Sequence, residues 1–518
     1  MTSPTHLSAL LSRTVARASN SAAVCDERVD LDWRGFAALA EGYAGLLAAQ
    51  GVKAGDRVAV WLPNSVDYLA LIFALARLAA TAVHVNTRFR SNEVGYLLKR
   101  SKAETLITQW GFGPVDFPKI LAEVSSDDRA DLVRVIGRDA DAGAFLGLPV
   151  APLAPQGDAP DAAAAEADCL TFTTSGTTSG PKLVLHKQRS VAIHACDVAA
   201  ALGMGRAGAC ALAVVPLCGT FGQTLALAAL AQGARVVTME QFDPAKAGAL
   251  IRAHRVTHTV GGDDMLGRIA EAAQGEAFDS LVFSGFANFT PNAAAHIAAA
   301  DALGMAPRGV YGMSEVHALF SLSPDERRMA DGGVPVSPLT QISIRDPETG
   351  APTADGEDGE LCLKAPSLFA GYLGNDEATR KAFHPDGFFR TGDAACLAPP
   401  GFVYRMRLGD GLRLGGFLVA PEEIEGFLHK QPGVAGAQVV AAEHEGARVA
   451  VGFVLAKPGE RPDEAAILAA CRTHLARYKV PARIVALDAF PVTESPNGIK
   501  IQRVKLRDMA NAILRGEA

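Results

Sequence analysis

At 518 residues the chain exceeds one ordinary domain and, at about 100 to 200 residues each, has room for two to four. Its 49% hydrophobic and 20% charged residues are those of a soluble globular protein with large cores, while a net charge of -7 and a pI near 6.0 exclude the concentrated basic surface that nucleic-acid binding needs. Eight cysteines (Cys25, Cys169, Cys196, Cys210, Cys218, Cys362, Cys396 and Cys471) are scattered without a CxxC pair, which points to reduced thiols in a cytoplasmic protein and to neither a disulfide framework nor a zinc site.

Met1 to Arg17 carries too short an apolar core for a secretory signal and no basic lead into it. Phe36 to Gln50 has helical periodicity, Arg57 to Leu62 reads as a strand, and Pro63-Asn64-Ser65 leads into a helix from Asp67. The most apolar run, Tyr68 to Val85, is rich in alanine and interrupted by Arg77; a buried core helix is expected there rather than a membrane span. Such α/β alternation implies sheets covered by helices. The Pro/Ala/Asp-rich residues 150–167 read as a linker, and a second α/β unit runs from Leu185 to about Val310. Residues 330–400 hold short alternating strands such as Gln341 to Arg345 and Gly359 to Lys364, the pattern of a β-rich subdomain. Beyond Asp410 the expectation is a helix opened by Pro421, strands Gly436 to Ala442 and Arg448 to Leu455, and a helix Asp463 to Tyr478.

Between the first two units lies Thr173-Thr174-Ser175-Gly176-Thr177-Thr178-Ser179-Gly180-Pro181-Lys182. Glycines let backbone approach a polyphosphate, hydroxyls and amides donate to it, and one lysine adds mobile charge. Leu170 and Phe172 before it and Leu183-Val184-Leu185 after it alternate, so the loop joins two strands and is no Walker loop, whose lysine is followed by Ser or Thr. A surface linker has the same composition. Five further blocks bear on the choice: Tyr311-Gly312-Met313-Ser314-Glu315, Phe389-Arg390-Thr391-Gly392-Asp393, Arg407-Leu408-Gly409-Asp410, Gly415-Gly416-Phe417, and Gly498-Ile499-Lys500-Ile501-Gln502-Arg503.

In this order and at these separations, the blocks resemble the core motifs of the AMP-forming adenylating superfamily of acyl- and aryl-CoA synthetases, peptide-synthetase adenylation domains and luciferases. The resemblance spans nearly the whole chain and is nearest to an acyl-CoA synthetase. It implies an α/β fold: a large N-terminal domain (1–409) of two helix-covered sheets plus a β-rich subdomain, and a small mobile α+β C-terminal domain (410–518). The implied reaction joins a carboxylic acid to ATP through an acyl-adenylate and passes the acyl group to CoA, with Mg²⁺ present. Handing it to a carrier protein or an amine is the alternative, and light emission or regulatory nucleotide binding are remoter ones.

Residue by residue, the resemblance assigns the β- and γ-phosphates to Thr174, Ser175, Gly176, Thr177 and Thr178 with Lys182, and Mg²⁺ to Glu315. Tyr311 and Gly312 would face the adenine, and Ser314 the α-phosphate and the substrate carboxylate. Asp393 and Arg407 would hold the ribose, and Lys500 would be the catalytic cation. Ile499 intervenes between Gly498 and Lys500 where the family has Gly-Lys, which makes Lys505 the fallback. Asp410 falls at the hinge, and Gly415, Gly416 and Phe417 at the CoA entry.

Departures concern the acid pocket. Cys218 and Gly219, before Phe221, stand where relatives carry an aromatic and a histidine. Phe286 follows Gly285 where a second glycine is common, which would shorten the pocket. Asp263 and Asp264 either bind a cationic or hydroxylated acid or, for Asp264, cap a helix beginning at Met265. His317 is the one histidine close to the metal candidate. A monomer or homodimer is expected.

Overall fold

The computed structural model describes residues 4–174, 181–289, 293–324, 332–408, 412–414, 417–419, 421–444, 447–475, 477–495 and 498–517, with backbone alone at 413, 417, 418, 423, 447, 478, 493–495 and 498–500. The chain divides into two compact units, Met1–Gln341 with Leu363–Phe389, and Ile342–Cys362 with Arg390–Ala518.

In the first unit, a nine-stranded sheet runs in the order Gly371–Tyr372, Leu183–Lys187, Asp168–Thr173, Thr81–His84, Arg57–Trp61, Thr105–Gln109, Arg134–Arg138, Leu148–Pro152 and Gly143–Phe145. Its centre is parallel, so its strands are buried on both faces. Strand Arg57–Trp61 shows the consequence: Val58 and Val60 join one core cluster, and Ala59 and Trp61 the other. A second sheet contributes Gly332–Pro335, His317–Leu322, Pro307–Met313, Phe283–Ala287, His258–Gly262, Cys210–Ala213, Arg235–Thr238, Ala22–Cys25 and Asp30–Asp32 to this unit, in that order.

Helices Val66–Arg77 and Thr220–Gln232 are apolar on nearly every side because they lie in the core cluster that draws side chains from both sheets. The run from Tyr68 to Val85 is therefore core, but it divides into helix Val66–Arg77, a turn, and strand Thr81–His84. Among the described residues no helix is long and apolar enough to cross a membrane.

The expected linker, 150–167, begins inside strand Leu148–Pro152; residues 153–167 form no helix or strand, yet they dock on the unit. The Gln156 N–H donates to the Gly42 carbonyl at 2.8 Å, and Arg77 Nε to the Ala159 carbonyl at 3.1 Å.

In the second unit, strands Phe389–Ala398 and Gly401–Arg407 form an antiparallel hairpin. Strands Val434–His444, Ala447–Ala456 and Arg483–Leu487 form a separate three-stranded sheet. Helices Pro421–His429 and Glu464–His474 share a core with Val439 and Val454 on one of its faces, while Arg503–Leu514 shares another with Val440, Val451 and Phe453 on the opposite face. Asp463 caps the second helix through the Ala466 N–H, and that helix stops at His474, four residues short of the expected Tyr478, where the chain turns into a 3-10 segment, Arg477–Lys479. All eight cysteines are buried and none is in a disulfide.

Candidate active site

Strands Asp168–Thr173 and Leu183–Lys187 are antiparallel, with Leu183 opposite Thr173, and the Thr174 N–H donates to the Lys182 carbonyl at 3.0 Å. The hydroxyl-rich run thus closes a hairpin, as its flanking alternation predicts. Ser175, Gly176, Thr177 and Thr178 lie outside the described residues, whereas Thr174 and Lys182, at its two ends, are half-buried.

A second hairpin meets the first. Strand Pro307–Met313 folds back on His317–Leu322, with Met313 opposite His317, so Ser314 and Glu315 stand at a hairpin tip. A Cβ on Gly312 would lie 2.6 Å from the His317 carbonyl oxygen and 2.7 Å from Ala318 Cα, so the two strands approach closely only because residue 312 is glycine. The tip is held from outside: His186 Nε2 lies 2.7 Å from the Ser314 carbonyl oxygen, and the Phe369 N–H donates to the Glu315 carbonyl at 2.8 Å. Tyr372 donates its hydroxyl proton to Glu315 Oε1 at 2.9 Å, and Lys182 Nζ sits 4.5 Å from the centroid of the same ring. The structure therefore brings Lys182, Ser314 and Glu315 to one place and adds Tyr372 and His186, which the motif blocks omit. Tyr372 is placed by Gly371–Tyr372, a two-residue strand paired with Val184 and Leu185, and no local sequence signal marks it. The donors that Ser314 and Glu315 offer are oxygens, a set that fits a hard cation shared with phosphate.

Beneath this tip three buried imidazoles stack, His317 at 3.9 Å from His186 and 5.1 Å from His194 between ring centroids. Burial pushes His186 down to about 3 and His194 to about 4, and holds His317 well below its usual range, so all three are neutral. His194 Nε2 lies 2.8 Å from the Ala318 carbonyl oxygen. His317 is a packing element of the hairpin, with φ +65°.

Around the expected acid pocket, Gly219 is the N-cap of helix Thr220–Gln232 and Phe221 is buried in its first turn. Thr220 Oγ1 accepts from the Ala318 N–H at 3.0 Å, tying this helix to the Glu315 hairpin. Gly285 and Phe286 do not share a wall: along strand Phe283–Ala287 they face opposite sides. A Cβ on Gly285 would meet the Phe283 ring at 2.8 Å, and Phe286 is fully buried in the core cluster.

The reading of Asp264 as a cap is corrected. The helix begins at Asp263, its N-cap is Gly262, and both acids lie in the first turn, where the helix dipole favours negative charge. Asp263 is wholly buried, accepting from the Phe289 N–H at 2.7 Å and lying 3.1 Å from His296 Nδ1. These contacts lock helix to loop.

In the second unit, Asp393 and Arg407 are cross-strand partners joined at 2.8 Å. Arg407 Nη1 also donates to the Thr391 carbonyl at 2.7 Å, and the Asp393 N–H to Thr391 Oγ1 at 3.0 Å. The Asp393 side chain is 6% exposed and that of Arg407 52%. The pairing brings together a carboxylate and a guanidinium suited to a vicinal diol. Asp410, Gly415 and Gly416 lie outside the described residues, as does the side chain of Phe417 on strand Phe417–Val419. Lys500 sits opposite Thr493 in hairpin Val492–Ser495/Gly498–Ile501, its side chain likewise outside. Lys505 is exposed on helix Arg503–Leu514. Arg503 anchors the start of that helix to Glu425 at 3.0 Å.

The sequence profile of the AMP-binding enzyme family matches residues 11–373, and that of the AMP-binding enzyme C-terminal domain matches 423–496. The chain is 31% identical to a long-chain-fatty-acid–CoA ligase, FadD13, of Mycobacterium tuberculosis, over 92% of each chain. It is also 31% identical to a 2-succinylbenzoate–CoA ligase of Geobacillus kaustophilus, over 87% of each. Its fold is that of ATP-bound MatB from Rhodopseudomonas palustris, with a TM-score of 0.83 at 24% identity, covering 98% of this chain and 99% of that one. By its profile matches across both parts and by relatives aligned along most of its length, this chain belongs to the AMP-binding enzyme family of adenylate-forming acyl-CoA synthetases.

Proposed function

We propose that the chain is an AMP-forming acid–CoA ligase: a carboxylic acid and ATP give an acyl-adenylate and pyrophosphate, and CoA then displaces AMP. The observation that carries this reading is the meeting of Lys182 and Glu315 on one tyrosine, beside a Ser/Thr/Gly hairpin, in a chain that aligns along most of its length with acid–CoA ligases.

An anionic carboxylate must attack a polyanionic phosphate, so the site's task is to neutralise charge as it develops. Thr174, Ser175, Gly176, Thr177 and Thr178 cradle the β- and γ-phosphates, and Lys182 adds a point charge beside them. Glu315 would hold Mg²⁺, which would supply positive charge against the phosphates, and Ser314 faces the α-phosphate and the substrate carboxylate. Tyr311 and Gly312 flank the adenine. Asp393 accepts from the ribose hydroxyls and is oriented by Arg407. Lys500 stabilises the negative charge of the adenylation step and withdraws when the C-terminal domain (410–518) turns about Asp410 relative to 1–409, opening a CoA path past Gly415, Gly416 and Phe417. Gly219 and Phe221 line the acid side. In solution the protein is a cytoplasmic monomer or homodimer.

A panel of aliphatic, alicyclic and aromatic acids, with AMP and pyrophosphate followed with and without CoA, tests this. Acid-dependent pyrophosphate release whose AMP turnover requires CoA is expected. Turnover with an amine or a carrier protein but not with CoA would replace the acceptor, and no acid-dependent pyrophosphate from any acid would overturn the reading.

A further inference from the structure

Tyr372 touches both charged groups of the nucleotide site and belongs to neither motif that supplies them. Its segment is sewn to the strand that leaves the lysine loop: Tyr372 is opposite Val184, the Ala370 N–H donates to the Leu185 carbonyl at 2.7 Å, and the Leu373 N–H to the Leu183 carbonyl at 2.8 Å. The same segment grips the other hairpin, where the Phe369 N–H reaches the Glu315 carbonyl at 2.8 Å. Tyr372 is 8% exposed, its ring packs edge-on to Phe369 with centroids 5.0 Å apart, and its backbone N–H donates to Thr379 Oγ1 at 2.9 Å. A ring held so firmly presents its hydroxyl to Glu315 Oε1 at 2.9 Å and its face to Lys182 Nζ at 4.5 Å.

We infer that Tyr372 is a positioning residue for adenylation, aiming the Glu315 carboxylate at the cation through its hydroxyl and seating the Lys182 ammonium through its ring. This rests on the nucleotide-site reading above. A hydrogen bond from a fixed donor orients a metal-binding carboxylate and sets how much of its affinity is realised. An ammonium over an aromatic face keeps its charge while losing its freedom to wander. One side chain thereby spaces the phosphate lysine from the metal carboxylate before either meets nucleotide.

Calorimetric titration of the full-length protein with ATP, once in EDTA and once with magnesium chloride, separates the two contacts. In Tyr372→Phe the metal-free ATP affinity should stay within about two-fold of wild type, and the gain that magnesium confers should shrink about ten-fold. In Tyr372→Leu the metal-free affinity should fall as well, by about five-fold, because Lys182 loses its platform. In a Glu315→Gln background, Tyr372→Phe should add nothing, whereas a merely structural tyrosine would exact the same loss in either background. Wild-type magnesium gain in Tyr372→Phe, or additive losses in the double variant, would overturn the inference. Full magnesium gain in Glu315→Gln alone would instead remove Glu315 from the metal site, and the role of Tyr372 with it; thermal melting of each variant shows whether it is folded.

Discussion

A carboxylate's worth at a nucleotide site depends on what holds it. Asp393 is nearly buried and receives a charge-assisted bond from Arg407, which is itself fixed by the Thr391 carbonyl. Replacing it by Asn keeps the shape and removes the charge that accepts from a diol. Asp393→Asn is expected to raise KM for ATP about ten-fold, in line with the loss of a charged hydrogen bond, while the half-exposed Arg407 limits the stability loss to about 1 kcal/mol. Initial rates against ATP concentration, with a denaturant melt, check both; an unchanged KM would remove Asp393 from the ribose. At this scale the motif blocks pointed to Lys182 and Glu315, two residues that the structure brings to one tyrosine. The sequence was illegible for Tyr372, because nothing local distinguishes a core tyrosine from one that meets Glu315 from 57 positions away.

At the scale of elements, the hairpin that carries Ser314 and Glu315 is supported by the stack of His186, His317 and His194, contributed by strand Leu183–Lys187, strand His317–Leu322 and helix Gln188–Ala201. Hydroxyls and carbonyls face these rings from the neighbouring elements, including Ser190 Oγ at 3.4 Å from His186 Nδ1. Their pKa values lie below the unfolded value of about 6.5. His84, held between the Tyr68 hydroxyl and Gln223, is likewise pushed down to about 3 by burial.

A depressed folded pKa means that the unfolded chain binds more protons in the intervening window. The stabilisation is therefore complete above about pH 6.5 and is lost as pH falls toward about 4, at up to about 1.4 kcal/mol per pH unit for each histidine. Guanidinium melts at pH 7.5, 6.5, 5.5 and 5.0 should show a steepening fall, shallower in His194→Gln. A flat profile over that range would contradict the neutral stack. A second element-scale device, invisible to motif reading, joins the two sheets of the first unit: Arg138, with its side chain 4% exposed, lies 2.7 Å from Asp67 and 2.6 Å from Glu240.

For the whole molecule, the proposal makes one site perform two half-reactions, and Lys500 is the group that separates them. Lys500→Ala should lower adenylate formation by at least about 100-fold, the usual cost of removing a transition-state charge contact, while thioester formation from supplied acyl-adenylate and CoA stays within a few-fold of wild type. Single-turnover assays of each half-reaction measure this; equal loss in both would assign Lys500 elsewhere and return attention to Lys505. The alternation of helix and strand that foretells the α/β units is visible in sequence because burial on both faces makes parallel strands apolar throughout and sandwiched helices apolar all round.

By itself the sequence determined the reaction class through the resemblance of its ordered motif blocks to a known family, and the α/β architecture and the loop that closes a hairpin through residue types at short spacing. Tertiary structure alone decided that Phe286 is fully buried in the core cluster and that Asp263 meets His296 and the Phe289 N–H. It also decided that Tyr372 couples Lys182 to Glu315. The reason is common to all of them: which atoms meet depends on strand register and on pairings between distant segments, and neither is written in local periodicity.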